Sequence, residues 1–312
     1  MSALETKQLK KRYKGCQTRK EQWRAIYEEA YEYCLPMRNL YDGYYEQDTP
    51  GQNKMKRVFD STAIHSTARF ANRIQSALFP PQQQWCRLRP GSEVPPERSI
   101  EAQQVLDMYN QKMFSVMRQS GFDLAIGEFL LDLAVGTAVM LIQKGDETQP
   151  IRYTAIPMYQ ITFDEGPDGK PNFVFRKFKR PFEVVEQEFP GVEFPEEVLS
   201  KYREKPMEYI ELLEATYPDK ETGKTNYCLM TMEGDYKILH KHLKSSPWVI
   251  SRFMVAPGEI MGRGPCLYAL PDIKTLNKVI ELNLKNASLS IGGVFTAVDD
   301  GVLNPQAIQI VP

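Results

Sequence analysis

FDSTAIHSTARFANRIQSALFPPQQQWCRLRP, residues 59–90, carries a start signal, a helical face and a stop, in that order. Asp60 or Ser61 can accept hydrogen bonds from the first free N–H groups of a helix. Ala63, Thr67, Phe70, Ala71, Ile74, Ala77 and Leu78 then recur at three- and four-residue steps, which places them on one face. Pro80 and Pro81 end the pattern, because proline has no N–H to donate and restrains the residue before it. The small side chains on that face predict a helix packed close to a neighbour. Trp85 follows as an anchor, and the residues after it are expected to run as an extended strand.

Upstream, residues 4–35 read as a helix with a stripe of Trp23, Ile26, Tyr27, Ala30, Tyr31 and Cys34. Lys7, Lys10, Lys11, Arg12 and Lys14 crowd its entrance, either as a solvated basic arm or as a contact for DNA or an acidic partner. Residues 39–57, rich in Tyr, Asp, Gly and Gln, read as an extended loop. Downstream, 98–119 is helical on Val105, Leu106, Tyr109, Met113, Phe114 and Met117, and Gly121 ends it. Residues 122–135 form a further, mostly apolar helix, and Gly136 marks the switch to a strand over 138–143.

From there strand patterns dominate, at 151–156, 160–164, 172–177, 209–217, 227–232, 236–239 and 248–254. Turns are expected at 167–170 and at Gly234-Asp235, with helical pieces at 181–189 and within 190–206. The sum is an α+β arrangement. A last helix is expected from Pro271, well suited to a first turn, to about Ile291. Ile273, Leu276, Ile280, Leu284, Ala287 and Ile291 form a near-heptad seam, while Lys274, Lys278, Glu281 and Lys285 share another face. Glu281 is spaced to pair with Lys285. Beyond Gly292-Gly293, residues 294–298 and 306–311 read as strands around an Asp299-Asp300-Gly301 turn.

The 312 residues suffice for a substantial core. Lys plus Arg number 39 against 40 Asp plus Glu, a net charge of −1, which argues against sustained phosphate binding by the isolated chain. No apolar run reaches membrane-spanning length, and the N-terminus lacks the apolar core of a signal peptide. Five scattered cysteines without a CxxC pattern read as reduced, buried thiols.

Several chemistry-bearing patterns have simpler explanations. Residues 218–225 (PDKETGKT) end like a phosphate-binding loop, but Pro218 stands where glycine is needed and the segment joins two strands, so a hairpin loop is expected. His240 and His242 fall on one face of an extended segment but lack a third zinc ligand nearby. Ser61, His65 and Ser66 have neither a nucleophile elbow nor an acid partner. Asp123, Glu128 and Asp132 carry the one enzymatic alternative, a magnesium-dependent nucleic-acid-processing site; capping and surface roles compete with it.

Three blocks in order carry a family resemblance: residues 59–90, Gly121-Phe122-Asp123 running into 136–140 (GTAVM), and Gly262-Arg263-Gly264-Pro265 before 269–277 (ALPDIKTLN). With Trp23 and Leu35-Pro36 on the opening helix, the chain resembles the portal, or head-to-tail connector, family of short-tailed phages over nearly its whole length. The resemblance implies a phage portal fold: a wing-like α+β body over 1–264, a first stem helix over 265–292, and the beginning of a clip over 293–312. A second stem helix, tunnel loop and crown would follow in that family, so a truncated N-terminal portion is expected. It further implies a non-enzymatic structural protein without cofactor or metal, forming a ring of typically twelve subunits at one capsid vertex of the virion after assembly in the host cytoplasm. Expected partners are its own copies, a terminase motor, a tail adaptor, scaffold and capsid proteins, and double-stranded DNA in the channel, with no membrane. Lys274, Lys278 and Lys285 are the DNA-channel candidates, with solvation or contact with a neighbouring stem helix as the other readings of that face. Gly262, Arg263 and Gly264 form the expected hinge before the stem, with Arg263 available to a carboxylate of a neighbouring subunit.

Overall fold

A computed structural model describes residues 5–38 and 55–292, apart from positions 82, 193, 195, 203, 204, 206, 220–222 and 235. Its spine is helix α1, Thr6–Cys34, whose 29 residues span roughly 43 Å. After it come α2 (Thr62–Leu78), α3 (Pro96–Gln119) and α4 (Phe122–Val135), then strands β1 (Thr137–Lys144), β2 (Ile151–Ile156), β3 (Ile161–Glu165) and β4 (Pro171–Pro181). Two short helices, α5 (Phe182–Glu188) and α6 (Glu196–Tyr202), precede β5 (Tyr209–Pro218), β6 (Thr225–Thr231), β7 (Lys237–Leu243) and β8 (Trp248–Arg252). Helix α7 (Pro265–Gly292) closes the described chain. The mixed α+β class expected from the sequence is thus what forms.

The strands make two antiparallel sheets, one ordered β2-β1-β8 and the other β3-β4-β5-β6-β7. Strand β1 is buried on both faces. Ala138 and Met140 meet α2 and α4, while Val139 and Leu141 join Ile156, Trp248 and the C-terminal half of α1. The N-terminal half of α1 crosses to the second sheet, where Leu9, Tyr13 and Cys16 pack on Phe175, Leu213, Ala215 and Met230. This alternation of partners is the two-residue period of a strand meeting the 3.6-residue period of a helix.

The entrance of α1 is therefore docked rather than a solvated arm. Lys10 donates to the Met232 carbonyl (2.9 Å), and Arg12 lies 3.4 Å above the Phe173 ring and 3.4 Å from Asp164. Lys20 donates to the carbonyls of Met158, Tyr159 and Ile161 at 2.7–2.8 Å, pinning the helix to the short turn before β3.

Other expectations shift. Helix α2 has the predicted limits, with Asp60 accepting from the Thr62 N–H, but Ala77 and Leu78 are exposed, so its buried face stops at Ile74. No strand forms after Trp85. Instead Asn110 of α3 pairs with the backbone of Leu88, accepting from its N–H (2.8 Å) and donating to its carbonyl (3.3 Å), which does locally what a neighbouring strand would. Trp85 does anchor, stacked on Phe122 and edge-on to Phe79 and Phe114. On α3 only Asn110 and Phe114 are buried, whereas Val105 and Tyr109 are half exposed. Cys86 is exposed, while Cys16, Cys34, Cys228 and Cys266 are buried thiols. The last helix begins at Pro265, not Pro271, and runs through Pro271 at the loss of one backbone hydrogen bond. The loop expected over 39–57 falls mostly, and the strands over 294–298 and 306–311 wholly, outside the described residues.

Candidate functional site

The residues singled out before and along the last helix come together as the root and shaft of α7. The root is locked by close backbone approach. A Cβ placed on Gly262 would lie 2.3 Å from the Gly136 carbonyl oxygen, and one on Gly264 2.2 Å from that of Ala134. Only hydrogen fits there. The Gly264 N–H donates to Val135 O (2.9 Å), and the Gly262 N–H to the Thr137 hydroxyl (2.8 Å). Tyr27 Oη donates to the Gly262 carbonyl (2.5 Å) and lies 3.1 Å from Thr137 Oγ1, closing a buried ring of three hydrogen bonds. Burial pushes the Tyr27 phenol well above its ordinary pKa, so it stays a donor at any working pH.

Arg263 finds its carboxylate within its own chain. It binds Glu259 through two hydrogen bonds of 2.6 and 2.8 Å and stacks over Trp23, 4.9 Å from the ring centre. The hydrogen bond from Arg263, with its charge, holds the Glu259 carboxyl below the usual range. Cys266, Leu267 and Leu270 of α7 are buried, with Cys266 beside Cys34, Ala63 and Ala134. A hydrogen bond to Cys266 and burial push the Cys34 thiol far up, so it stays protonated.

Asn277 ends the root. It is 6 % exposed; its side-chain carbonyl accepts from the N–H groups of Phe59 (2.7 Å) and Asp60 (3.2 Å), and its amide donates to Arg57 O (3.0 Å). One side chain thus ties α7 to the chain entering α2. Reading the sequence missed this role of Asn277, and no local signal marks it, since its partners lie more than two hundred residues away.

Beyond Asn277 the shaft leaves the body. Residues 278–291, roughly 21 Å of helix, are exposed nearly throughout. Leu276, Ile280, Leu284 and Ile291 lie on the expected seam, and Leu284 and Ile291 are 55 % and 87 % exposed. Val279, Leu282 and Leu289, also about half exposed, make a second apolar seam the heptad reading passed over. At 3.6 residues per turn the two seams lie roughly 150° apart around the axis.

The lysines share the remaining face but are not free. Lys274 pairs with Glu29 of α1 (2.9 Å), while Lys278 and Lys285 both grip Glu281 (2.9 and 2.8 Å), as the spacing of Glu281 and Lys285 predicted. Lys285 and then Lys278 hold the Glu281 carboxyl below its ordinary range.

Of the three carboxylates of the alternative metal site, Glu128 and Asp132 both face Arg38, at 4.0 and 2.7 Å, so a guanidinium stands where a cation would have to sit. Both oxygens of buried Asp132 are taken by Arg38 (2.7 and 3.1 Å), and Tyr31 Oη donates to one of them (3.1 Å). The Asp123 backbone carbonyl instead accepts from Gln75. Among the described residues no group of three or more His, Cys, Asp or Glu could hold a metal ion, and no helix is long and apolar enough to cross a membrane. His240 and His242 stack edge to face 4.9 Å apart on β7, while Pro218 of β5 pairs with Thr225 of β6, the Asp219 N–H donates to Lys224 O (2.7 Å) and Gly223 has φ 65°.

No curated protein matches the chain. A family model described as bacteriophage head to tail connecting protein does, over residues 6–312. A match running from the first turn of α1 through the root and shaft of α7 places this chain in the family of bacteriophage head-to-tail connecting proteins.

Proposed function

We propose that this connecting protein is the ring-forming subunit of a phage portal, and that α7 is the stave by which copies stand side by side. The observation that carries the reading is the shaft beyond Asn277, apolar along two seams that nothing in its own described chain covers. Burying a leucine stabilises by about 1.5–3 kcal/mol, so several exposed on one rod favour a partner. Two seams on different sides suit a heterologous contact, in which one seam of each copy meets the other seam of the next, and such a contact closes into a ring when the rotation permits. By resemblance the ring has twelve members, encloses double-stranded DNA during packaging and ejection, nucleates the head with scaffold and capsid proteins, and docks a terminase on one side and a tail adaptor on the other.

In this arrangement Lys274, Lys278 and Lys285 occupy the face between the seams and look into the channel. Their pairing with Glu29 and Glu281, three lysines to two glutamates, leaves a single net positive charge along this face. A passing duplex would then be neither gripped nor repelled, since attraction beyond about 8–10 Å is screened. The domain division at 264/265 and 292/293 belongs to the same proposal, as does tilting of α7 about Gly262, Arg263 and Gly264. Such tilting has to part the backbone contacts of both glycines with residues 134–136, so it would be a step between two packed states rather than free swinging. Native mass spectrometry with electron microscopy of the protein at assembly concentration tests the reading. Closed rings are expected, and persistent monomers would contradict it.

A further inference from the structure

The five-stranded sheet is covered unevenly. One face, with Phe175, Leu213 and Met230, lies under α1. The other carries Phe178, Leu212 and Leu229, and helices α5 and α6 cover only part of it. The remainder opens as a cleft of about 680 Å3 that reaches across to Lys144 on β1, Arg152 on β2 and the turn over 244–247.

The floor of this cleft is apolar: Leu212 and Leu229 are buried, and Phe178, Phe189, Leu239 and Leu243 are half-buried beside them. Its charge is one-sided. The two carboxylates in it are already held, Glu214 by Tyr227 Oη (2.6 Å) and Arg176 (3.4 Å), and Glu188 by Arg180 (2.7 Å). Lys144, Arg152, Lys241 and Lys244 stand exposed at the rim, and none has an ion-pair partner among the described residues; Arg152 is drawn only electrostatically toward Asp146. In a chain whose net charge is −1, Lys144, Lys241 and Lys244 without an ion-pair partner, with Arg152 beside them near Asp146, are a local excess of positive charge around one concavity.

We infer that this cleft docks an acidic segment of a partner protein, with carboxylates on the rim cations and apolar side chains on the floor around Phe178 and Phe189. The floor argues for a peptide over a nucleic-acid duplex, because a duplex offers no apolar side chains to meet Phe178, Leu212 and Leu229. Electrostatic complementarity of this kind sets partner choice and association rate, and it weakens with salt. The inference does not depend on the ring: the cleft and the α7 shaft share no residue.

The test is fluorescence anisotropy of a labelled peptide alternating Glu with Leu and Phe, titrated with the whole chain. Saturable binding is expected, weakening about tenfold between about 0.05 M and about 0.3 M salt. Lys241→Glu combined with Lys244→Glu should weaken it by a further tenfold or so at unchanged thermal midpoint. If that pair perturbs folding, Lys144→Glu with Arg152→Glu on the other sheet must give the same loss. A peptide with Lys in place of Glu should not bind. Failure of the acidic peptide to bind, affinity untouched by charge reversal at the rim, or duplex DNA competing better than the peptide for these four residues would each overturn the inference.

Discussion

Gly264 faces the Ala134 carbonyl so closely that a single added methyl group has no place to go. Gly264→Ala should therefore destabilise by about 1–3 kcal/mol, read as a lower urea midpoint, with Gly262→Ala behaving alike. Asn277 makes a different kind of contact. Asn277→Ala strands the N–H groups of Phe59 and Asp60, a cost of about 1–3 kcal/mol, whereas Asn277→Asp keeps the acceptor, loses the donor to Arg57, and should fall between. A third test concerns acid. Burial works to raise the Asp164 carboxyl, but Arg19 at 3.0 Å and Arg12 outweigh it and hold the pKa below its ordinary 3.8. A depressed carboxylate contributes stability above its unfolded value, and that contribution is lost as pH falls through the folded one. Arg19→Gln should thus flatten the acid limb of a stability profile taken from about pH 6 to about pH 3, and an unchanged limb would exclude Asp164 as a contributor. Gly262 and Gly264 stood out in the sequence as a hinge and Asn277 closed a family block, but the contacts made by these residues and by Asp164 were not legible in advance. Glycines before a helix read equally well as a hinge or as a close approach, and the partners that separate the two readings are far away in sequence.

Among the elements, α1 and α7 matter most. Lys20→Met leaves three carbonyls of the turn before β3 without their shared donor and should cost about 2–4 kcal/mol, visible in the chemical denaturation midpoint. On the shaft the expectation reverses. Leu282→Glu and Leu284→Glu lie on exposed surface and should move the stability of the isolated subunit by no more than about 0.5 kcal/mol while abolishing assembly, as sedimentation would report. Strands and helices were largely legible because their periods are local: the eight strands among the described residues fall where alternation and turn residues put them. Coverage was not. The face Val105–Tyr109 on α3 and the Leu282–Leu289 seam on α7 carry apolar residues at helical spacing, and spacing cannot say whether another element lies over them. Pattern alone put the start of α7 at Pro271 where the helix begins at Pro265, because both prolines suit a first turn. What chooses between them is the packing of Cys266 and Leu267 against α1 and α4, a tertiary fact.

At the scale of the molecule, two sheets bridged by one long helix make a body that holds a half-buried rod by its root. The blocks that carry the family resemblance sit at this root: α2, the start of β1 and the Gly262–Gly264 turn all meet there. That is why their order and spacing were informative although each is built from common residues. The central claim is that adjacent copies join one seam of α7 to the other seam of the next. Cysteine crosslinking tests it most directly, with Leu282→Cys and Leu284→Cys introduced singly and together on a Cys86→Ser background. The account predicts that the double variant crosslinks into a ladder ending at the closed ring, while neither single variant crosslinks. Dimers from each single variant, or no crosslink from the double one under assembling conditions, would contradict it.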